Sequence, residues 1–220
     1  MVKNSKITEW EDAEKVNMAL QAIKQNDFST AWNFLEEVVA NTPEKYECSY
    51  EEGGTLFVRC WNLHDFVEFV AGLNKNQRER DIEWIPSVYP RAYYYLGYLD
   101  LAKRKYESAL THLEASLKLE PNQLVCLCEV GCAYQEMGDH EKAVLFLDRA
   151  LKSRRCINPK FRAKALRVKG IELIKLGELD SAKKCLIESL SYEPNNQLAL
   201  RKMEYLSKLK CGRTSVEEAA

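Results

Sequence analysis

A spacing constrains this chain more tightly than its composition does. Gly97 and Gly131 stand 34 residues apart, and so do Ala109 and Ala143, and Leu113 and Leu147. Counting Pro90 as position 1, Tyr93 is position 4, Leu96 is 7, Gly97 is 8, Ala109 is 20, Leu113 is 24 and Pro121 is 32. Two antiparallel helices approach closely when small residues face each other and large ones fill the space around them. Positions 8 and 20 supply the small residues, and positions 4, 7, 11 and 24 the large ones. Gly138 offers the positive φ that ends a helix. Glu120-Pro121-Asn122 is a helix stop, because proline cannot continue the ladder.

The frame recurs. From Ala163 it gives Leu166, Gly170, Gly177, Ala182, Leu186 and Pro194, after a five-residue insertion at Arg154–Asn158. Asn158-Pro159 predicts a helix start there. A weaker match over Asp12–Lys45 places Ala19, Phe28, Ala31, Leu35 and Pro43, with Asn26-Asp27 at the turn. The spacing resembles the tetratricopeptide repeat, whose W-x2-L-G-x2-Y…A-x3-F…P pattern has this period.

The resemblance implies an all-α fold, a right-handed solenoid of helix hairpins, to which the residues between the first two units add a small β-hairpin-plus-helix insertion. The expected divisions are a first repeat at 12–45, a non-repeat insertion at 46–89, repeats at 90–123, 124–157 and 158–196, a capping helix at 197–210 and a disordered tail at 211–220. Residues 1–11 are polar and expected to fray. In the capping helix, Ala199, Leu200, Met203, Leu206 and Leu209 are expected to face inward.

The insertion breaks the period. Tyr46–Glu52 alternates, Gly53-Gly54 follows, and Thr55–Trp61 is rich in β-formers, which together read as a hairpin. A Gly53–Thr55 loop would set Tyr50 opposite Val58 and Cys48 opposite Cys60. Asn62 caps a following helix that carries Leu63, Phe66, Val67, Val70 and Leu73, and Ser87 is a candidate cap for the helix after it. A degenerate repeat with an odd first half is the other reading of this segment.

No nucleophile, P-loop or zinc-protease motif is present, so neither catalysis nor a cofactor is expected. His64, His112 and His140 fall on separate elements. Cys128 and Cys132 share a helical face, but further ligands are lacking nearby, so no metal site is assigned. The eight cysteines are read as mostly reduced and buried. Cys48 and Cys60 would pair only in the register above.

The N-terminus has no apolar signal-peptide core, and no apolar run reaches the roughly 20 residues of a membrane helix. The expected location is the cytoplasm. A net charge of −1 gives no global attraction to nucleic acid. Charge is uneven, however: residues 1–60 carry six basic and eleven acidic side chains, and residues 148–169 carry nine basic ones against Asp148 alone.

In the family this sequence resembles, the first helices of successive repeats line a groove. Its positions here hold Tyr94, Tyr98 and Leu101, then Val125, Cys128, Cys132 and Gln135, then Lys164, Arg167, Ile171 and Lys175. The implied function is a protein-interaction adaptor or scaffold. Its partner would be a protein or peptide with apolar anchors and an acidic end. The carboxylate clamp of the chaperone-binding subgroup is not matched: Tyr94, Tyr98, Glu129 and Val168 occupy four of its five places, and only Lys164 fits. The alternative function is a nucleic-acid-associated regulator using the basic patch of Arg154, Arg155, Lys160 and Arg162.

Overall fold

The structure is a computed structural model that describes residues 2–74, 77, 79–152 and 159–210. In chain order its elements are α1 (Val2–Lys24), α2 (Phe28–Ala40), β1 (Ser49–Glu52), β2 (Thr55–Cys60), α3 (Leu63–Gly72), β3 (Ile82–Pro86), α4 (Tyr89–Ala102), α5 (Tyr106–Leu119), α6 (Leu124–Glu136), α7 (His140–Lys152), α8 (Pro159–Lys175), α9 (Leu179–Tyr192) and α10 (Gln197–Lys210). The fold is the expected one of tetratricopeptide-like helix hairpins with a small β insertion. It divides into two compact units, Met1–Cys126 and Leu127–Ala220.

The period has a direct steric cause. A Cβ on Gly97 would lie 2.6 Å from Leu113 Cγ and 3.1 Å from the Ala109 carbonyl oxygen. The same construction puts Gly131 at 2.7 Å from Leu147 and Gly170 at 2.9 Å from Leu186. Ala109, Ala143 and Ala182 are fully buried opposite them.

Every hairpin turn repeats one geometry. Asn26, Arg104, Gly138 and Gly177 all have positive φ, at 62°, 57°, 78° and 80°. The next residue's N–H reaches back five residues in each case: Asp27 to Ala22, Lys105 to Asp100, Asp139 to Tyr134 and Glu178 to Leu173. With the bond from each positive-φ residue to the carbonyl three before it, this is the Schellman helix end.

In the first unit, Val16, Ala19, Leu35 and Val38 of α1 and α2 pack with Tyr89, Ala92, Leu96 and Leu99 of α4. α1 begins at Val2, so the fraying expected of residues 1–11 is corrected for residues 2–11. One reason is an anchor the sequence pattern did not reveal: Arg59 of β2 donates to both Glu9 carboxylate oxygens at 2.9 Å.

The insertion is a three-stranded sheet in the order β1-β2-β3, with β1 antiparallel and β3 parallel to β2. α3 makes the crossover that parallel strands require. The expected register is corrected by one residue: Tyr50 faces Phe57, Ser49 faces Val58, and Glu52 faces Thr55. Gly53 and Gly54, at φ 61° and 88°, form the whole loop, because a two-residue loop of this kind needs positive φ at both positions. The Cys48 carbonyl thus accepts from the Arg59 N–H, and Cys48 and Cys60 are both free thiols.

Asn62 caps α3 through the Asp65 N–H at 3.0 Å. No residue of α3 is fully buried, and Leu63 and Val67 are exposed. Ser87 is not a cap, since Val88 takes that place without a side-chain bond. Ser87 instead donates to the buried Glu120 at 2.6 Å. Trp61 Nε1 reaches the other Glu120 oxygen at 2.7 Å, and the Tyr46 hydroxyl donates to the first at 3.4 Å. This carboxylate at the end of α5 pins the insertion to the repeat.

In the second unit, Leu173, Ala182, Leu186, Ala199 and Leu206 share a core. Ser189 Oγ donates to the Ala163 carbonyl at 2.9 Å, as Ser116 does to Pro90 at 2.8 Å in the first unit. On α10 the expectation for Leu200 is corrected: it is exposed, whereas Met203 and Leu209 are partly buried. The five-residue insertion and the expected disordered tail lie outside the described residues.

Candidate partner-binding face

In the second unit α6 and α8 lie side by side, joined by polar bonds between repeats. Lys164 Nζ donates to Glu129 at 2.7 Å, and Gln135 Nε2 to Glu172 at 2.8 Å. Glu172 is fully buried, and it also meets His140 at 2.6 Å and Lys175 at 3.3 Å. Arg167 donates to Glu193 at 2.7 Å, and Asn196 donates to the same oxygen at 3.2 Å. Burial works against the charge on Lys164, yet the neighbouring Cys132 and Glu129 outweigh it and raise its pKa above the ordinary lysine value.

Between these pairs lie the cysteines. Cys128 is buried and Cys132 half-buried. Burial pushes the Cys132 thiol up to about 12, which keeps it neutral near pH 7 and makes it a poor nucleophile. Cys126 is fully buried, and its Sγ donates to the Leu113 carbonyl at 3.3 Å. Among the described residues no group of three or more His, Cys, Asp or Glu side chains is placed to hold a metal.

The expected groove residues therefore divide. Cys132, Gln135, Lys164 and Arg167 come together half-buried on one face, with Lys175 exposed at its end. Cys128 and Ile171 are buried beneath it. In the first unit Tyr94 is only 7% exposed, because Trp61 of the insertion packs edge-on against it at 5.1 Å. Val125 is also buried, Leu101 is half-buried, and Tyr98 stays 41% exposed. Of the basic patch, Lys160 is exposed and Arg162 half-buried; Arg154 and Arg155 lie outside the described residues.

Periodicity passed over the buried acids. Position 11 holds Tyr134 in one repeat, stacked on Phe146 at 5.5 Å. In the preceding repeat it holds Asp100, bonded to Ser108 at 2.5 Å and His112 at 3.1 Å. A carboxylate at a place where the pattern calls for an aromatic was the available signal, and Glu172 in an otherwise apolar stretch is a second. No helix among the described residues is long and apolar enough to cross a membrane.

Family models described as tetratricopeptide repeat match residues 90–123, 125–155 and 163–196. No curated protein sequence matches. Among solved structures, PilF of Pseudomonas aeruginosa superposes with a TM-score of 0.65 at 13% identity, over 93% of this chain and 71% of that one. MamA of Desulfovibrio magneticus RS-1, from residue 41 to its end, gives 0.62 at 14% identity, over 94% and 90%. The first tetratricopeptide domain of Spaghetti (RPAP3), bound to the HSP90 peptide SRMEEVD, gives 0.51 at 21% identity, over 56% and 93%. At these identities the likeness is one of fold.

Proposed function

The chain belongs to the tetratricopeptide repeat family, and from that premise we propose that it is a non-catalytic, cytoplasmic protein-interaction adaptor. Its second unit would hold an extended peptide or a helix on the face shared by α6 and α8. The observation that carries this reading is the pair of inter-repeat bonds, Lys164 to Glu129 and Gln135 to Glu172. They fix two first helices side by side, with a neutral thiol, an amide and guanidinium and ammonium groups along one surface.

Apolar anchors of a partner would rest against Cys132 and its surroundings. An acidic end would take the place of Glu193 on Arg167 or meet Lys175, since guanidinium binds carboxylate through paired bonds. Glu129, already seated on Lys164, disfavours at that place an acidic peptide such as the SRMEEVD that the RPAP3 domain holds. In the first unit Tyr98 is exposed, and a tyrosine there offers contact area and a hydroxyl at little entropy cost.

Peptides selected from a displayed random library test this. Their affinity for the protein should fall about tenfold with Arg167→Gln or Lys175→Gln, the scale of one charge-assisted bond. In Lys175→Gln the buried Glu172 keeps its bonds to Gln135 and His140, and an unchanged circular-dichroism spectrum verifies that the variant is folded. Selected peptides indifferent to both substitutions would place the binding elsewhere.

A further inference from the structure

The first unit carries a cleft that the adaptor reading does not use. It lies between Glu9 and Trp10 of α1 and the face of the sheet, is about 180 Å³ in volume, and is lined besides them by Tyr50, Phe57, Glu83, Ile85 and Pro86. The register explains its composition. Tyr50 faces Phe57 and Phe57 faces Glu83 across the three strands, so the pleat directs all three to one side. Tyr50 and Phe57 stack at 5.1 Å with an interplanar angle of 16°. Trp10 is 59% exposed above them.

A large exposed indole beside stacked rings and a carboxylate is not what water alone would favour. Glu83 is exposed and has no ion pair among the described residues. Rings attract cations over their faces, and more strongly where a carboxylate is near and water is partly excluded. The chain already uses this chemistry next door. The Arg59 guanidinium lies 5.1 Å from the Tyr46 ring centre and 5.3 Å from that of Tyr50, and is clasped by Glu9. Residues 1–60 carry five more negative than positive charges (eleven acidic against six basic), which draws cations toward this part of the surface.

We infer that this cleft is a binding site for a cationic side chain, a lysine of a basic peptide segment. The aliphatic stem would lie against Phe57, Ile85 and Pro86, and the ammonium would sit between Trp10 and Glu83. The site shares no residue with the α6–α8 face, so either can fail without the other.

The probe is the amidated, acetylated pentapeptide Gly-Gly-Lys-Gly-Gly, with norleucine in place of lysine as its neutral analogue. Both are titrated into the full chain while the indole N–H resonances and the backbone amides of Phe57 and Glu83 in the cleft wall are followed by NMR. The expected result is a saturable shift of the Trp10 indole with the lysine peptide and about fivefold weaker binding of the norleucine peptide, the scale of one exposed cation–ring contact. Trp10→Ala and Glu83→Gln should each weaken the lysine peptide about as much, and Lys175→Gln should leave it unchanged. Equal binding of the two peptides, or binding that survives Trp10→Ala, overturns the inference, as does the absence of any Trp10 shift. Trp10 and Glu83 are both exposed, so neither variant removes core packing, and unchanged amide spectra would verify that.

Discussion

Gly97 shows how one missing carbon atom sets the packing of a hairpin. A methyl group there would collide with Leu113 Cγ at 2.6 Å and press on the Ala109 carbonyl at 3.1 Å. Leucine can swing its end aside, but the backbone oxygen cannot, so the helices must part. Gly97→Ala should therefore cost about 1–3 kcal/mol, the usual range for overpacking, despite alanine's better helix propensity. Urea denaturation followed by tryptophan fluorescence measures it, and a neutral or stabilising result would mean that the close approach is not what the glycine serves. This part of the fold was legible because its partners lie 12 and 16 residues away in one hairpin, Ala109 and Leu113 for Gly97. The buried ion pairs were not. Glu129 and Lys164 are 35 residues apart, and nothing in either residue's own repeat names the other.

Between elements, the turns give the cleanest comparison within the molecule. Gly138-Asp139 does what the turn needs: glycine takes the left-handed angle, and Asp139 Oδ1 accepts from the Lys142 N–H at 3.1 Å. The equivalent Arg104-Lys105 does neither, since Arg104 holds φ 57° with a side chain and Lys105 makes no capping bond. The left-handed region costs an L-residue roughly 1 kcal/mol or more, and a missing N-cap about 1 kcal/mol. Replacing the pair by Gly-Asp should raise stability by about 1–2 kcal/mol, visible as a higher urea midpoint with an unchanged slope.

The insertion shows where reading by element stops. Its hairpin and α3 follow from alternation, glycines and a cap. β3 was hidden because Ile82–Pro86 is short, ends in proline and pairs with β2 only through a crossover. The one-residue shift in register came from counting Thr55 as loop when two glycines suffice.

The same insertion carries a pH response. Burial, aided by the nearby Glu120 charge, pushes the Asp65 carboxyl up to about 6, against the opposing effects of Asn62 and His64. Its ordinary value is 3.8, so the folded chain binds this proton more tightly than the unfolded one does. Stability from this group is present in acid and is lost as pH rises from about 4 through about 6. Asp65→Asn should remove that part of the slope and make the chain more stable than wild type at pH 7. Urea titrations at pH 5 and pH 7 on both proteins test it, and parallel pH dependence would exclude Asp65 as the source.

At the scale of the whole molecule the question is how much positive surface remains free. The sequence shows nine basic residues between 148 and 169 against one acid, within a chain of net charge −1. Read as a list, that cluster invites a phosphate backbone. The folded chain distributes it differently. Lys164 is held by Glu129, Arg167 by Glu193 and Lys169 by Asp148 at 2.5 Å, and the Arg149 guanidinium lies 5.1 Å from the Phe146 ring centre. Each cation so engaged must break a contact before it can release a counterion from nucleic acid. If about two phosphates are neutralised, log K should fall against log salt with a slope of about −1.4 for a single strand. Anisotropy of a labelled 20-nucleotide RNA between 50 and 200 mM salt reads this directly. The expected dissociation constant at 150 mM is weaker than about 10⁻⁴ M. A slope of about −4 or steeper, abolished by Arg154→Glu with Arg155→Glu, would instead mean that the cluster acts as a nucleic-acid surface and that its carboxylate partners yield to phosphate.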